Sequence, residues 1–153
     1  MADGHVWVQH LKSSLKASKQ LAYLYDVGED KFEFMGDIFG VLGCAEEDCP
    51  SDKKAFSAFI FADDLVTRQL TLADMVLKSG GGEKNFTLNF RMCRTDGTAF
   101  PVVETGIIST DAQTQKTTIQ SLIAIDTEAI DRRKKLNSKM GFRDAISSSF
   151  SGS

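Results

Sequence analysis

The chain has 153 residues, of which 42% are hydrophobic and 25% are charged, and its formal net charge is -3. These values are typical of one folded domain of roughly 100 to 150 residues, and they exclude a disordered or fibrous chain. The slightly acidic balance offers no basic face for a phosphate backbone, so no nucleic-acid partner is expected. The apolar stretches are far shorter than the roughly 20 residues that cross a bilayer, so no membrane span is expected either.

The cysteines and the amino terminus indicate the compartment. Cys44, Cys49 and Cys93 are odd in number and irregularly spaced, as is typical of free thiols in a reducing environment. The first residues lack the basic region, apolar run and cleavage site of a secretory signal. A cytoplasmic location is therefore predicted. Because no Cys-x-x-Cys pair or nearby histidine completes a zinc site, no metal is predicted.

The first predicted elements are a helix and a β-hairpin. A helix is predicted over residues 6–21, because apolar side chains recur there and just beyond at spacings of four and seven: Trp7, Leu11, Leu15 and Ala22. Residues 21–27 and 31–35 favour two strands, and the turn-forming residues 28–30 between them favour a hairpin.

Helical patterns follow. Residues 38–42 predict one helical turn, which Gly43 can end by adopting a left-handed conformation. Residues 56–60 predict another short helix. The longest helix is predicted to have Asp63 as its N-cap and to end at Gly80. Helical spacing predicts that its inward stripe consists of Val66, Leu70, Ala73 and Leu77.

Three strands and a final helix complete the pattern. Strict alternation over 86–92 predicts a strand with one face in the core. The Asp96-Gly97 turn leads into a second strand over 99–110, and a third over 117–125 has apolar residues on both faces. After Asp126 and Thr127 the chain favours helix again, with a basic run over 132–135. The serine-rich residues 147–153 resemble a linker or the cut end of a longer protein.

Six short sequence words in this order resemble those of a PAS domain of the PAS/PAC sensory-box family. In the fourth of them, Phe61 and Ala62 replace the His-Pro of the family's His-Pro-Asp-Asp. The words are Leu24-Tyr25-Asp26, Phe34-Met35-Gly36, the stretch 38–43, Phe61-Ala62-Asp63-Asp64, the stretch 90–97 and Ile125-Asp126-Thr127-Glu128. The resemblance covers residues 21–135.

The resemblance implies an α+β fold. It predicts a five-stranded antiparallel sheet with short helices and one longer helix on one face, plus N-terminal and C-terminal helices. The corresponding divisions are an amphipathic helix over 1–20, a PAS-like sensory domain over 21–127, an exit helix over 128–146 and a linker over 147–153. Profilin-like and other α/β sheet domains remain the alternative fold.

The resemblance also implies a function. It indicates a non-catalytic sensory domain of a bacterial signalling protein, which binds a small ligand or a protein partner. Its state would be relayed to a C-terminal effector, either a cyclic-di-GMP cyclase or phosphodiesterase or a histidine kinase of a two-component system. The alternative function is a ligand-free dimerisation or protein-docking module.

Several chemistries are not expected. The two histidines, His5 and His10, both fall in the leading helix, so the long helix has no haem ligand and no Ser-His-Asp or Cys-His set can be assembled. Flavin-binding relatives need a cysteine in an Asn-Cys-Arg-Phe-Leu-like segment, which is not found. Neither haem nor a covalent flavin is therefore expected, and no catalytic residue is assigned.

The candidate site residues fall into three groups. A phenylalanine-rich interior, drawn from eleven phenylalanines in the chain, predicts a cleft for a small apolar ligand, although such residues more often simply fill a core. The cleft candidates are Phe39, Phe56, Phe59, Phe90, Phe100 and Ile123. Asp126 and Thr127 are predicted to relay the signal at the start of the exit helix. A homodimer is predicted to form through Trp7, Leu11 and Leu15.

Overall fold

The computed structural model describes residues 2–136, with side chains from residue 6 onward. Its elements in chain order are α1 (Ala2–Ala17), β1 (Gln20–Asp26), β2 (Lys31–Gly36), α2 (Ile38–Leu42), a 3-10 turn (Glu46–Asp48), α3 (Lys53–Ser57), α4 (Ala62–Lys78), β3 (Glu83–Cys93), β4 (Ala99–Thr110) and β5 (Thr117–Ile125). A further helix, α5, occupies residues 127–136.

The five strands form one antiparallel sheet in the order β2-β1-β5-β4-β3. The last strand lies at the centre, where Ser121 is opposite Tyr23 of β1 and Gly106 of β4. The predicted α+β fold with a five-stranded antiparallel sheet is confirmed. Because β5 leads directly into α5, the centre of the sheet is joined to the exit helix.

One face of the sheet packs under the helices and forms the core. Alternation decides which side chains point inward, so that β3 contributes Phe86, Phe90 and Met92 and β5 contributes Ile119 and Ile123. The helices cover them with a shared set of apolar residues: Val41, Leu42, Phe56, Leu65, Leu72 and Val76. Burial of such side chains is the main source of stability, at about 1.5 to 3 kcal/mol for each large one.

The leading helix is shorter than predicted. The apolar spacing extended it to residue 21, but α1 ends at Ala17 and Lys19 adopts a left-handed backbone with φ 58°. Ala22 lies in β1, opposite Met35 of β2. Its spacing of seven from Leu15 is therefore a coincidence between two elements. Leu15 is buried, but it lies outside the core cluster.

The long helix presents a different face from the one predicted. Val66, Leu70 and Leu77 are 62%, 66% and 83% exposed. The inward residues are instead Leu65, Arg68, Leu72 and Val76. The prediction was wrong because it followed apolar spacing alone, whereas the inward stripe includes a buried charged residue, Arg68.

The start of this helix also differs from the prediction. Phe61 occupies the N-cap position, and Asp63 lies inside the first turn. The carboxylate of Asp64 accepts hydrogen bonds from the backbone amide of Arg91 at 2.8 Å and from its guanidinium at 2.9 Å. Asp64 therefore fastens the helix to β3, and the predicted cap, Asp63, lies in the first helical turn and is not the N-cap.

The carboxyl-terminal end is described only in part. The predicted exit helix over 128–146 is seen as α5 up to residue 136, while residues 137–146 and the predicted linker over 147–153 lie outside the described residues. Among residues 2–136, no helix combines the length and apolar character needed to cross a membrane.

Candidate ligand-binding cavity

A cavity of about 380 Å³ lies between the sheet and the helices α3 and α4. Most of its lining is apolar. The sheet and the β1–β2 turn provide Tyr23, Tyr25, Val27, Phe32 and Ile119, and the helical side provides Lys53, Phe56, Ser57, Ile60, Arg68, Gln69, Leu72, Ala73, Val76 and Leu77. This volume is within the usual range for a small-molecule site.

Aromatic rings form one wall of the cavity. Tyr25 stacks on Phe32 with ring centroids 4.2 Å apart, and Phe32 lies 4.9 Å from Phe56. Tyr23 meets Phe32 edge to face at 5.2 Å. Rings in these arrangements attract one another and hold their orientation. The wall therefore offers a fixed apolar surface to a flat or compact ligand.

A polar network crosses the interior beside this wall. The guanidinium of Arg68 on α4 donates to Oε1 of Glu104 on β4, from Nη2 at 2.8 Å and from Nε at 3.2 Å. Arg68 Nη2 also donates to the hydroxyl oxygen of Tyr23 at 3.2 Å. Oε2 of Glu104 accepts hydrogen bonds from the hydroxyls of Tyr23 and Ser121. One helix and three strands are thus joined at a single carboxylate.

The network keeps the guanidinium charged. Burial alone lowers the pKa of Arg68, but the attraction of Glu104 and the hydrogen bonds to Glu104 and Tyr23 outweigh it, so the pKa is raised. Burial, together with the charge of Glu104, raises the pKa of Tyr23, so its hydroxyl keeps its proton. The rings of Phe56 and Phe90 lie 5.2 Å and 4.9 Å from the guanidinium carbon, close enough for cation–π attraction.

The edge of the cavity near β1 is acidic. The hydroxyl of Tyr25 donates to Oδ1 of Asp30 at 2.7 Å, and the backbone amide of Lys53 donates to the same oxygen at 2.9 Å. These bonds lower the pKa of Asp30. The pKa of Tyr25 is raised, mainly by burial, then by Asp30, and then by the charges of Asp26 and Asp52. This edge therefore carries carboxylates and a neutral tyrosine.

The six predicted cleft residues are distributed over the domain. Phe56 lines the cavity, and Phe90 lies against Arg68 just beyond it. Phe100 and Ile123 are buried in the core, and Phe59 packs against the core from the side. Phe39 is 74% exposed on α2, beside a groove next to α1. Phe39 therefore lies away from the cavity, since α2 turns Val41 and Leu42 inward.

The sequence interpretation missed the polar half of the site, namely Tyr23, Arg68 and Glu104. One signal was available. Along β4 the inward positions alternate as Phe100, Val102, Glu104, Gly106 and Ile108, so a glutamate occupied a core position. A buried carboxylate requires a partner, and that requirement points to an arginine elsewhere in the core.

The predicted relay residues lie where β5 passes into α5. Oδ1 of Asp126 accepts a hydrogen bond from the backbone amide of Ala129 at 3.0 Å, which is an N-cap interaction. The amide of Asp126 donates to the carbonyl of Pro101 on β4 at 2.9 Å. Thr127 is the first residue of α5. The aspartate therefore joins the sheet to the helix, and its relay role stays a prediction.

The predicted dimer residues divide into two groups. Trp7 is 70% exposed and Leu11 is half exposed. Leu15 is buried against the domain itself, where its Cβ approaches Gly36. Trp7 and Leu11 are thus available to a partner, whereas Leu15 anchors α1 to its own sheet.

The remaining reactive side chains of the described residues form no assembled centre. Burial raises the pKa of Cys44, and burial, followed by the proximity of Cys44, raises the pKa of Cys49 to about 11. Both thiols are therefore protonated at neutral pH. Within residues 2–136, no group of three or more histidine, cysteine or acidic side chains is placed to hold a metal ion.

Comparison with known proteins gives a structural likeness. Neither a protein-family model nor a curated protein matches the chain. A sensory box histidine kinase/response regulator from Burkholderia thailandensis is similar over 89% of this chain and 96% of its own, with 10% identity and a TM-score of 0.63. The N-terminal domain of a diguanylate cyclase with PAS/PAC sensor from Marinobacter aquaeolei is similar over 69% and 94%, with 11% identity and a TM-score of 0.59.

A eukaryotic structure shares the likeness. The PAS-B domain of Cycle from Drosophila melanogaster, with bound ethylene glycol, is similar over 69% of this chain and 98% of its own, with 12% identity and a TM-score of 0.57. Most of the similar solved structures are PAS domains. At identities this low, the structural likeness establishes the fold alone. Together with the strand order and the helices over one face of the sheet, it shows that this chain has the PAS fold.

Proposed function

We propose that the chain is a non-catalytic sensory domain that holds a small, mainly apolar ligand in the cavity and relays its occupancy to a C-terminal effector. The observation that carries the proposal is a cavity of about 380 Å³ whose lining includes members of the buried polar network, Tyr23 and Arg68. A ligand in this space would contact both the helix α4 and the sheet.

The same network provides a route towards the carboxyl terminus. Arg68 on α4 binds Glu104, and Glu104 accepts a hydrogen bond from Ser121 on β5. Five residues beyond Ser121, Asp126 caps α5. A displacement of α4 by a ligand would change the contacts of Glu104 with β5, and so the position from which the exit helix begins.

The effector is proposed from the resemblance and from the names of the similar structures. One of these is a diguanylate cyclase with PAS/PAC sensor and another is a sensory box histidine kinase. A cyclic-di-GMP cyclase or phosphodiesterase, or a histidine kinase, in a bacterial cytoplasm is therefore the proposed context. We further propose that the domain carries neither haem nor a covalent flavin, since α4 has no histidine.

A ligand-free dimerisation or docking module is the second candidate. Exposed apolar side chains favour it, because Val6, Trp7, Val8 and Leu11 all lie at the surface of α1, and large aromatics commonly anchor protein contacts. In this alternative the cavity would be an unoccupied gap in the core.

Native mass spectrometry and an absorbance scan of the purified protein test the ligand proposal. We expect a bound small molecule that is released on denaturation, and no band at roughly 400 to 450 nm, where haem and flavin absorb. A protein that carries no small molecule and takes up none of a panel of apolar compounds would favour the docking module instead.

Substitution of Asp126 tests the relay. Loss of the cap costs only about 1 kcal/mol, so Asp126→Ala in the full-length signalling protein should leave the melting temperature nearly unchanged while it uncouples effector output from the ligand. Asp131→Ala, an exposed carboxylate on the same helix, is the matched control. A normal response in Asp126→Ala would show that the aspartate is only a cap.

A further inference from the structure

The charged side chains that line the cavity, Lys53 and Arg68, are hydrogen-bond donors, whereas the amide of Gln69 both donates and accepts. The lining includes Lys53, Arg68 and Gln69 but no carboxylate. The hydroxyl of Tyr23 is committed to Glu104, and Nε2 of Gln69 donates to the hydroxyl of Ser57 at 3.3 Å. A ligand that supplies a hydrogen-bond acceptor would therefore complement this lining better than one that supplies a donor.

One nitrogen of the Arg68 guanidinium, Nη1, has no hydrogen-bond partner among the described residues. The three hydrogen bonds of Arg68 to described residues come from Nε and Nη2, and Nη1 donates none to them. Every fully buried side-chain nitrogen and oxygen of the described residues has a partner, so Nη1, which has none among them, is not fully buried. Arg68 borders both the cavity of about 380 Å³ and a cleft of about 140 Å³ beside Phe90.

The charge of Arg68 is already balanced. Glu104 is 0% exposed and lies 2.8 Å from the guanidinium, so the pair is neutral as seen from the cavity. The edge near Tyr25 carries the carboxylates of Asp26 and Asp30. Lys53 lies at the rim and is exposed, where water and salt screen its charge. A buried anion would lose its hydration without gaining a counter-charge.

We infer that the cavity selects an uncharged aromatic or alicyclic molecule with a carbonyl-type oxygen, which accepts a hydrogen bond from Nη1 of Arg68. This inference rests on the proposed ligand binding and specifies its chemistry. The aromatic wall of Tyr25, Phe32 and Phe56 would hold the apolar body. The hydrogen bond at Arg68 would orient the molecule and place it against the network that reaches β5.

Three isosteric probes test the inference. Acetophenone has a neutral carbonyl, α-methylstyrene replaces the carbonyl oxygen with a methylene group, and benzoate replaces the methyl group with a charged oxygen. Binding is measured by calorimetry and by the amide NMR shifts of Tyr23, Phe56 and Leu72. We expect acetophenone to bind at least about tenfold more tightly than either of the others, since a donor left unpaired costs about that much.

The outcomes distinguish a failure of the inferred ligand class from a failure of the proposed ligand binding. If α-methylstyrene binds as tightly as acetophenone, the acceptor is irrelevant and the inference fails, and tighter binding of benzoate overturns the uncharged class. In either case ligand binding itself stands. If none of the three probes shifts the cavity amides at millimolar concentration, the proposed ligand binding fails, and the inference fails with it.

A paired variant identifies the responsible group. In the double variant Arg68→Met with Glu104→Leu, both charges are removed together, and acetophenone should lose its advantage over α-methylstyrene. The matched control is Arg91→Met with Asp64→Leu, an ion pair between the same helix and β3 outside the cavity lining, which should keep the preference. Arg68→Lys provides a milder substitution if the double variant does not fold. Its single ammonium should pair with Glu104 and leave no equivalent of Nη1, so acetophenone should lose most of its advantage, and an unchanged preference would overturn the role of Nη1.

Discussion

Glu104 is the carboxylate at the centre of the buried polar network. A buried carboxylate loses several kcal/mol of hydration, and it is tolerated only when its oxygens are fully paired. Here Arg68, Tyr23 and Ser121 together satisfy both oxygens. Such a network does not necessarily raise stability above that of an apolar core, but it fixes how α4 is seated on the sheet.

Removal of one partner should therefore be costly. We expect Arg68→Ala to lower the free energy of unfolding by about 3 to 5 kcal/mol, because it leaves the charge of Glu104 buried without a counter-charge. Urea denaturation measures the change. The double variant Arg68→Met with Glu104→Leu should recover most of the loss, since no isolated charge remains. An Arg68→Ala protein within about 1 kcal/mol of wild type would show that water reaches the carboxylate.

The ion pair of Asp64 with Arg91 predicts a dependence on acid. The hydrogen bonds from the Arg91 guanidinium lower the pKa of the Asp64 carboxyl below its usual value. A carboxyl whose pKa is lowered by folding stabilises the protein above its unfolded pKa of about 3.9, and this contribution disappears as the pH falls through the folded pKa. The contribution of the pair should be complete at neutral pH and lost progressively below about pH 4.

Asp64→Asn should remove that part of the pH dependence. Because the side chains of Arg91 and Asp64 are 40% and 23% exposed, we expect a loss of about 1 kcal/mol at pH 7 and a smaller difference from wild type at pH 3. Asp63→Asn is the control, since Asp63 belongs to the same helical turn but makes no side-chain hydrogen bond to a described residue. Equal pH profiles for Asp64→Asn and wild type would contradict the assignment.

At the scale of elements, strands were predicted more accurately than the helices. The predicted bounds 99–110 and 117–125 coincide with β4 and β5, because alternation and turn residues are local signals that tertiary packing reinforces. The face of α4 was misread, since Val66, Leu70 and Leu77 have the same helical spacing as a buried stripe. Arg68 could have been predicted to face the core only if Glu104 had been recognised as its buried partner.

Only the apolar part of the site was identified from the sequence. A phenylalanine-rich interior could be read from the sequence, and Phe56 does line the cavity. The polar network joins residues 23, 68, 104 and 121, which are far apart in the chain. Such contacts depend on the strand order β1-β5-β4 and on the seating of α4, which local patterns do not specify.

The junction between α1 and the sheet depends on one glycine. Gly36 has φ +114°, and a Cβ atom there would lie 2.5 Å from the carbonyl oxygen of Gln20 and 3.0 Å from Cβ of Leu15. Gly36→Ala should therefore cost about 2 kcal/mol of folding stability and increase amide exchange in α1. Gly82→Ala, with no neighbouring atom closer than 3.9 Å, is the control. Equal stability of the two variants would show that the backbone at Gly36 relaxes freely.

At the scale of the whole molecule, the exposed apolar side chains of α1 bear on whether the domain forms a dimer. The helix packs on β1 and β2 and buries Leu15. Its exposed side carries Val6, Trp7, Val8 and Leu11. Adjacent exposed side chains of this kind mark contact surfaces more often than isolated ones do. A symmetric pair of such helices would cover the apolar side chains of both copies.

Trp7→Ala tests the dimer directly. Truncation of an aromatic anchor commonly costs about 2 kcal/mol or more of association, which is roughly thirtyfold in the dissociation constant. We expect sedimentation equilibrium to show a wild-type dimer that Trp7→Ala weakens by about that factor, with an unchanged melting temperature at concentrations where both are monomeric. Leu70→Ala is the matched control, because Leu70 is similarly exposed but lies on α4, and it should sediment as wild type does. If the wild type remains monomeric at high concentration, or if Leu70→Ala dissociates it as strongly as Trp7→Ala, the pairing does not occur through α1.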